Sequence, residues 1–269
     1  MPAGSGGGLP TETHWPGGGG GTQTGPVTDG IFDASVAATY DADCVEMFEP
    51  AVLGPTIDLL AGLAEGGRAL ELASGTGRVA LPLRERGVEV HGIELSRAMT
   101  AVLAAKPGGD ELPVTIGDMT TTQAAGSFRL VYLVFNTVNN LVTQDAQVAC
   151  FANAAAHLEP GGRFLIEVGV PALQRLPPGE RLVIFDAGDN HIGIDEYDVV
   201  NQGLISHHYL VGGGRAETAH VPFRYVWPSE LDLMARMAGM ELEHRWADWT
   251  RRPFTAESTS HVSVWRKPS

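Results

Sequence analysis

Leu70-Glu71-Leu72-Ala73-Ser74-Gly75-Thr76-Gly77 is the stretch on which the fold turns. The apolar run from Arg68 to Ala73 reads as a short strand. It breaks into glycines and resumes as a helical pattern from Val79 to Arg86, closed by Gly87. Gly75 and Gly77 carry no side chains, so the backbone can bend sharply there and a ligand can approach it closely. A tight strand-to-helix turn would use the same residues, so the loop takes its meaning from the residues downstream of it.

After Gly87 a regular alternation sets in. Val88 to Glu94 reads as a strand, Ala98 to Ala105 as a helix, Pro113 to Gly117 as a third strand and Arg129 to Phe135 as a fourth. Asp145 to Leu158 reads as a helix closed by Pro160-Gly161-Gly162, and Arg163 to Val168 as a fifth strand. Strands separated by helices of this length imply right-handed crossovers and a parallel sheet covered on both faces. Pro82 is expected to kink the first of these helices. The fold class is α/β: a doubly wound, mostly parallel seven-stranded sheet.

On the N-terminal side, residues 1 to 30 are rich in glycine and proline and offer almost nothing to a core, which predicts a flexible tail. From Ile31 apolar residues recur at helical intervals through Phe48, and a second helical stretch runs from Pro55 to Leu63. Both are expected to lie over the first strand. Beyond Pro171, extended segments at 181–185, 192–200, 204–211 and 217–226 alternate with turn clusters, which predicts a small inserted antiparallel sheet. A helix over Ser229–Ala238, capped by Ser229, and strands over 241–249 and 261–267 complete the pattern. The expected domains are a 31–170 core, a 171–226 lid and a 227–269 return to the core sheet.

Composition narrows the function. Hydrophobic residues make up 43% and charged residues 19%, as in a chain that buries a sizeable core. Lys and Arg number 18 against 32 Asp and Glu, for a formal charge of -14. That field repels phosphate backbones and anionic lipid, so neither nucleic acid nor membrane is expected as a partner, and a small-molecule acceptor fits better. Cys44 and Cys150 form no framework, which suits a reducing compartment. With no apolar run near the ~18 residues of a membrane span and no secretory signal, the expected location is cytoplasmic.

The chemistry sits at the strand ends. The second strand ends in His91-Gly92-Ile93-Glu94-Leu95-Ser96, which places Glu94 at the carboxyl edge of the sheet beside the glycine loop. An ionised carboxylate there accepts hydrogen bonds from both hydroxyls of a ribose, and such edges are where open α/β sheets bind ligands. The third strand ends in Ile116-Gly117-Asp118-Met119, bringing an acid and an apolar side chain to an adenine amino group and ring face. Met99, one turn into the next helix, is placed to cover the other face. Glu71, Gly75, Gly77, Glu94, Met99, Asp118 and Met119 form an ordered constellation.

The strings ELASGTG, GIELS, IGDM and FNTVNNL together resemble the motif series of class I S-adenosylmethionine-dependent methyltransferases, over essentially residues 31–269. The resemblance is strongest to actinobacterial small-molecule enzymes of natural-product type, and sugar-amine N-methyltransferases resemble the core. It implies that Ala73 to Gly77 cradle the methionine part of the cofactor and that Glu94 and Leu95 meet the ribose. Asp118 and Met119 then meet the adenine, and Phe135 and Asn136 flank the sulfonium. Tyr40 resembles the early tyrosine that closes over the cofactor, and Arg78 is placed to pair with its carboxylate. Ala73 stands where the family usually has glycine. A nicotinamide loop would need glycine at 73 and 78, where Ala73 and Arg78 stand.

The implied reaction is in-line methyl transfer to N or O of a small molecule in secondary metabolism, leaving S-adenosylhomocysteine, with positioning and desolvation as the main catalytic contributions. Candidate catalytic groups are His207, His208, Glu167 and Asn139; only one of the two adjacent histidines can face the crevice. Asn140, Tyr209, His220, Arg224 and Tyr225 are candidates for gripping the acceptor. No histidine set has the spacing of a metal site, so no metal is expected. A homodimer is the expected assembly. A non-catalytic S-adenosylmethionine-binding protein, a C-methyltransferase and a macromolecule methyltransferase are the alternatives.

Overall fold

The computed structural model describes residues 32–212 and 215–269; the expected tail over 1–30 lies outside them. Five parallel strands form the body of a seven-stranded sheet: β1 (Ala69–Leu72), β2 (Val90–Glu94), β3 (Val114–Ile116), β4 (Phe128–Leu133) and β5 (Leu158–Gly169). Their side chains are mostly apolar on both faces because helices cover both. α3 (Ala80–Glu85), α4 (Arg97–Ala104) and α5 (Gln144–His157) make the crossovers. Strands β10 (Glu241–Trp246) and β11 (Ser260–Arg266) join antiparallel, giving the order β10-β11-β5-β4-β1-β2-β3. The sequence reading of a doubly wound sheet is therefore borne out. The chain steps from β1 outward to β2 and β3, then returns to the other side of β1 at β4, so the topological switch lies at β1/β4.

Each face has its own core. On one, Phe151, Phe164 and Trp265 interlock edge-on and tilted, with ring centroids 5.1 to 6.2 Å apart, beneath α5 and α6 (Pro228–Met237). On the other, Leu60 and Ile57 of α2 (Pro50–Ala64) pack with Leu83, Leu130 and Tyr132. The α1 helix (Ala34–Asp43) lies on α4 rather than over β1, with Val36 and Ala37 against Met99. Side-chain caps mark three starts. Asp33 receives the N–H groups of Ser35 and Val36, Ser96 that of Met99, and Thr143 that of Ala146. Burial pushes the Cys44 thiol up to about 11 and the Cys150 thiol up to about 12, so both remain uncharged packing residues.

Two boundaries differ from the sequence reading. β5 starts at Leu158, directly after α5, and tolerates the Pro160-Gly161-Gly162 turn as an irregularity in its pairing with β4. α6 begins at Pro228 with Trp227 at the cap position, so Ser229 is not the cap. Proline suits the first helical position because its fixed φ is helical and its missing N–H would be unpaired there.

Between β5 and α6 the chain builds a second sheet, β6 (Leu182–Ala187), β7 (His191–Asp198), β8 (Gly203–Gly212) and β9 (Arg215–Arg224), an antiparallel meander in that order. One face packs Val183 and Tyr197 with Tyr225, Leu173, Leu176 and Trp227. The opposite face carries exposed Leu182, Ile184, Ile205 and Tyr209. Arg224 ties the meander to the core. Buried at the end of β9, it donates to Glu230 on α6 at 2.8 Å, to Gln202 at 3.0 Å, and to Gln147 on α5. Removing one partner of a buried pair leaves the other charge without compensation. Arg224→Met is therefore expected to lower stability by roughly 3–5 kcal/mol, read by chemical denaturation; a loss below ~1 kcal/mol would show that the two sheets are held together elsewhere.

Candidate functional site

The turn after β1 is built on left-handed backbone. Ala73, Gly75 and Gly77 have φ of 54°, 53° and 82°. A Cβ at Gly77 would come within 3.0 Å of Leu103, so glycine is required there for packing as well as conformation. Gly92, the β2 neighbour of Glu71, lets Ser74 fold beneath the sheet edge, since a Cβ there would stand 2.6 Å from the Ser74 hydroxyl oxygen. Glu71 is buried and accepts from the Tyr132 hydroxyl at 3.2 Å. Burial pushes its carboxyl up to about 8, against the opposing influence of Arg78.

Glu94 joins the first two loops. One carboxylate oxygen accepts the Gly75 N–H at 2.8 Å and the other accepts the Ser96 N–H at 2.7 Å. Asp118, at the end of β3, receives the backbone N–H and hydroxyl of Thr120, each at 2.7 Å, which orders the loop there. Glu94, Leu95, Asp118 and Met119 all line one cavity of about 1120 Å³, together with Ala73. Ala73, where the bend begins, and both acids thus share one rim, while Gly75 and Gly77 are not among the residues that line it. Met99 does not line this cavity; it is buried against α1.

The α1 helix is latched across the glycine loop by groups the sequence reading missed. The Thr76 hydroxyl donates to Asp41 at 2.6 Å, and Lys106 bridges Asp41 at 2.5 Å and the Thr76 carbonyl at 2.7 Å. Ser96 donates to the Phe32 carbonyl at 2.6 Å, and Phe32 lines the cavity. Ser96 carried a readable signal, a serine just before a helical run; Thr76, Asp41 and Lys106 carried none. Tyr40 lies within this latch, where burial raises its hydroxyl well above the ordinary range and Arg78 opposes the shift. The Arg78 guanidinium lies over the Phe135 ring, 5.1 Å from its centroid.

After β4 the backbone is again left-handed, at Phe135 (φ 61°) and Asn136 (φ 58°), two consecutive non-glycine residues. Glu167 on β5 receives the Phe135 N–H at 2.6 Å, its carbonyl receives the Asn136 N–H at 3.2 Å, and the Asn136 side chain receives the Gly169 N–H at 2.6 Å. Burial raises the Glu167 carboxyl above its ordinary range, with the Phe135 N–H opposing. The structure gives Glu167 a role as a clasp on a strained turn, and neither it nor Asn139 lines the cavity. The buried Asn139 Oδ1 has no hydrogen-bond partner among the described residues.

The far wall of the cavity comes from the second sheet and the segment before it: Leu173, Leu176 to Arg181, Glu196 to Val199, Gly203 to Ile205, His220, Pro222 and Phe223. Of the candidate acceptor and catalytic residues, Asn140 and His220 line it. His207 touches His220 at 2.7 Å. His208 points to the opposite sheet face, stacked on His191 and bonded to it at 3.0 Å. Burial lowers His208 to about 4, with His191 adding to the effect. Tyr209 is exposed beside His220, Arg224 is the structural tie between the sheets, and Tyr225 is buried in the packed face. Among the described residues, no three His, Cys, Asp or Glu side chains are grouped to hold a metal ion, and no helix is long and apolar enough to cross a membrane.

Two substitutions probe this geometry. Ala→Gly ordinarily costs stability through chain entropy, but a left-handed alanine carries about 1–2 kcal/mol of strain. Ala73→Gly should therefore be neutral or stabilising by about 0.5 kcal/mol, and a clear loss in thermal denaturation would contradict the strained turn. Because Glu71 is raised in the folded state, the unfolded chain gives up that proton first as pH rises above the ordinary carboxylate range. Stability is thus withdrawn between there and about 8. Glu71→Gln should gain stability relative to the parent on going from about pH 5 to about pH 8; a difference that stays flat would refute the raised carboxyl.

Comparison with known proteins matches this geometry. Residues 69–162 match the family model described as a methyltransferase domain. The chain is 37% identical to the CcbJ methyltransferase of Streptomyces caelestis, superposing with a TM-score of 0.73 over 81% of this chain and 90% of that one. It is 28% identical over 238 residues to a cypemycin N-terminal methyltransferase of a Streptomyces species, 84% of this chain and 97% of that protein. CalS10, an amino pentose methyltransferase from Micromonospora echinaspora solved with S-adenosylmethionine bound, shares the fold at 21% identity and a TM-score of 0.64, over 85% of this chain and 96% of that one. With Ala73 of the turn after β1, two rim acids and the β1/β4 switch assembled on one cavity, the chain belongs to the class I S-adenosylmethionine-dependent methyltransferases and is similar to actinobacterial enzymes among them.

Proposed function

We propose that this methyltransferase methylates a nitrogen of a small-molecule amine. The observation that carries the reading is the charge of the cavity. Glu94, Asp118, Glu180, Glu196 and Asp198 line it, while Arg181 is the sole lysine or arginine among its described lining residues and is itself 3.3 Å from Glu196. Such a lining, in a chain of formal charge -14, draws in a protonated amine and repels phosphorylated or carboxylated acceptors. The 28%-identical cypemycin relative is by name an N-terminal methyltransferase, which agrees.

The residues fit S-adenosylmethionine. The left-handed bend reaches the cavity at Ala73, whose side chain is a single methyl, and the rim offers a carboxylate for ribose hydroxyls and the Asp118–Met119 pair for adenine. When bound, the cofactor supplies an activated methyl group on a sulfonium. The chain's own contribution is to align the acceptor and exclude water, in a cavity of about 1120 Å³ that stands at the large end of the about 300–1000 Å³ common for ligand sites. We assign residues 31–170 and 227–269 to cofactor binding, and 171–226 to a lid that holds the acceptor.

The test has two parts. Glu94→Gln keeps an acceptor for one loop N–H but loses the charge. It should weaken S-adenosylmethionine binding about 100-fold in calorimetry, in keeping with charge-assisted bonds to two hydroxyls; parent-like affinity would remove the ribose role. A panel of glucosamine, benzylamine, a prolyl dipeptide, catechol and glucose, incubated with methyl-labelled S-adenosylmethionine, should label the amines. Label on the hydroxyl compounds alone would overturn the choice of nitrogen.

A further inference from the structure

One face of the second sheet aligns three titratable side chains from three adjacent strands. His207 Nε2 is 3.1 Å from Glu196 Oε2, and His207 Nδ1 is 2.7 Å from His220 Nδ1. Glu196 and His220 line the cavity, while His207 sits between them, largely covered. The hydrogen bonds admit one arrangement of protons for neutral rings. An ionised carboxylate only accepts, so His207 carries its proton on Nε2 and donates it to Glu196. Its Nδ1 is then a bare acceptor, and the short contact requires His220 to donate from Nδ1. That leaves His220 Nε2 without a proton, on a residue of the cavity wall.

We propose that His220 is the base that removes the proton from the acceptor ammonium, with His207 and Glu196 as positioning residues; this rests on the amine reading above. The ammonium N–H bond breaks, its electron pair stays on nitrogen, and the proton forms a bond to His220 Nε2. The resulting imidazolium can pass its Nδ1 proton to His207 Nδ1, where the positive charge lies against the Glu196 carboxylate. The amine is left neutral, the form that can act as a nucleophile. The charged and titratable groups around the chain are Arg181 ahead of β6, bonded to Glu196, Asp195 on β7, and His208 on the opposite face of β8. The Tyr209 ring stands edge-on to His220 at 6.2 Å.

Two measurements test the proposal. Two-bond proton–nitrogen spectra of the full chain labelled with ¹⁵N-histidine, recorded at about pH 8 without cofactor, should show His220 protonated on Nδ1 and bare on Nε2. His207→Phe should release that preference while the other histidine signals persist. Using benzylamine from the panel, His220→Phe should lower kcat about 100-fold at neutral pH, in the usual range for general-base loss, and move the acid limb of the pH profile upward, to where the amine loses its proton unaided. Glu196→Gln should shift that limb. A proton on His220 Nε2 in the parent, or a parent-like kcat and acid limb in His220→Phe, overturns the base assignment while amine methylation stands. Failure of the parent to label any panel amine while S-adenosylmethionine binds overturns the amine reading and the base with it.

Discussion

The carboxylate of Glu94 is the point on which the cofactor side of the molecule depends. With one oxygen on the Gly75 N–H and the other on the Ser96 N–H, it fastens the turn after β1 to the turn after β2. Neither turn has a regular ladder to hold it, and the first carries two glycines that would otherwise sample many conformations. The same two contacts fix the start of α4, whose cap residue Ser96 also reaches back to Phe32. A single buried acid therefore ties the leading helix, the glycine bend and the second crossover into one rigid rim.

The opposite side obeys a different logic. There the backbone is strained at Phe135 and Asn136 and is held by Glu167 and Gly169 from the neighbouring strand. Such strain persists only where surrounding groups over-determine it. Glu167 and Asn139, attractive as reactive groups when viewed as letters, are inside the scaffold; the histidine that meets the open cavity comes from the second sheet.

Much of the core was legible because its signals are local. The apolar runs of β1, β2 and β4 and the glycine bend between Leu72 and Val79 each declare themselves within a few residues, and their order dictates the parallel sheet. Glu94 and Asp118 were legible as rim residues because strand ends are topologically fixed. Met99 was not, because whether it faces the ligand or α1 depends on where residues 34–43 pack, which periodicity does not encode. The same holds for the latch of Asp41, Thr76 and Lys106, whose members are far apart in sequence and individually ordinary. In the second sheet, alternation gave four strands but not which neighbours meet across them. The pairing of His207 with His220 is a matter of register, and a slip by one residue between β8 and β9 would have put them on opposite faces of the sheet.

The placement of β11 between β5 and β10 has a consequence for biosynthesis. β5 emerges from the ribosome with one edge unfilled, and that edge is satisfied only when Ser260 to Arg266 arrive to pair with Arg163 to Gly169. The intervening meander consists of near-neighbour hairpins and can form at once, while the central sheet must tolerate an open, strongly apolar border until translation has passed residue 266. Nascent chains stalled within the meander should thus be the species most in need of a chaperone.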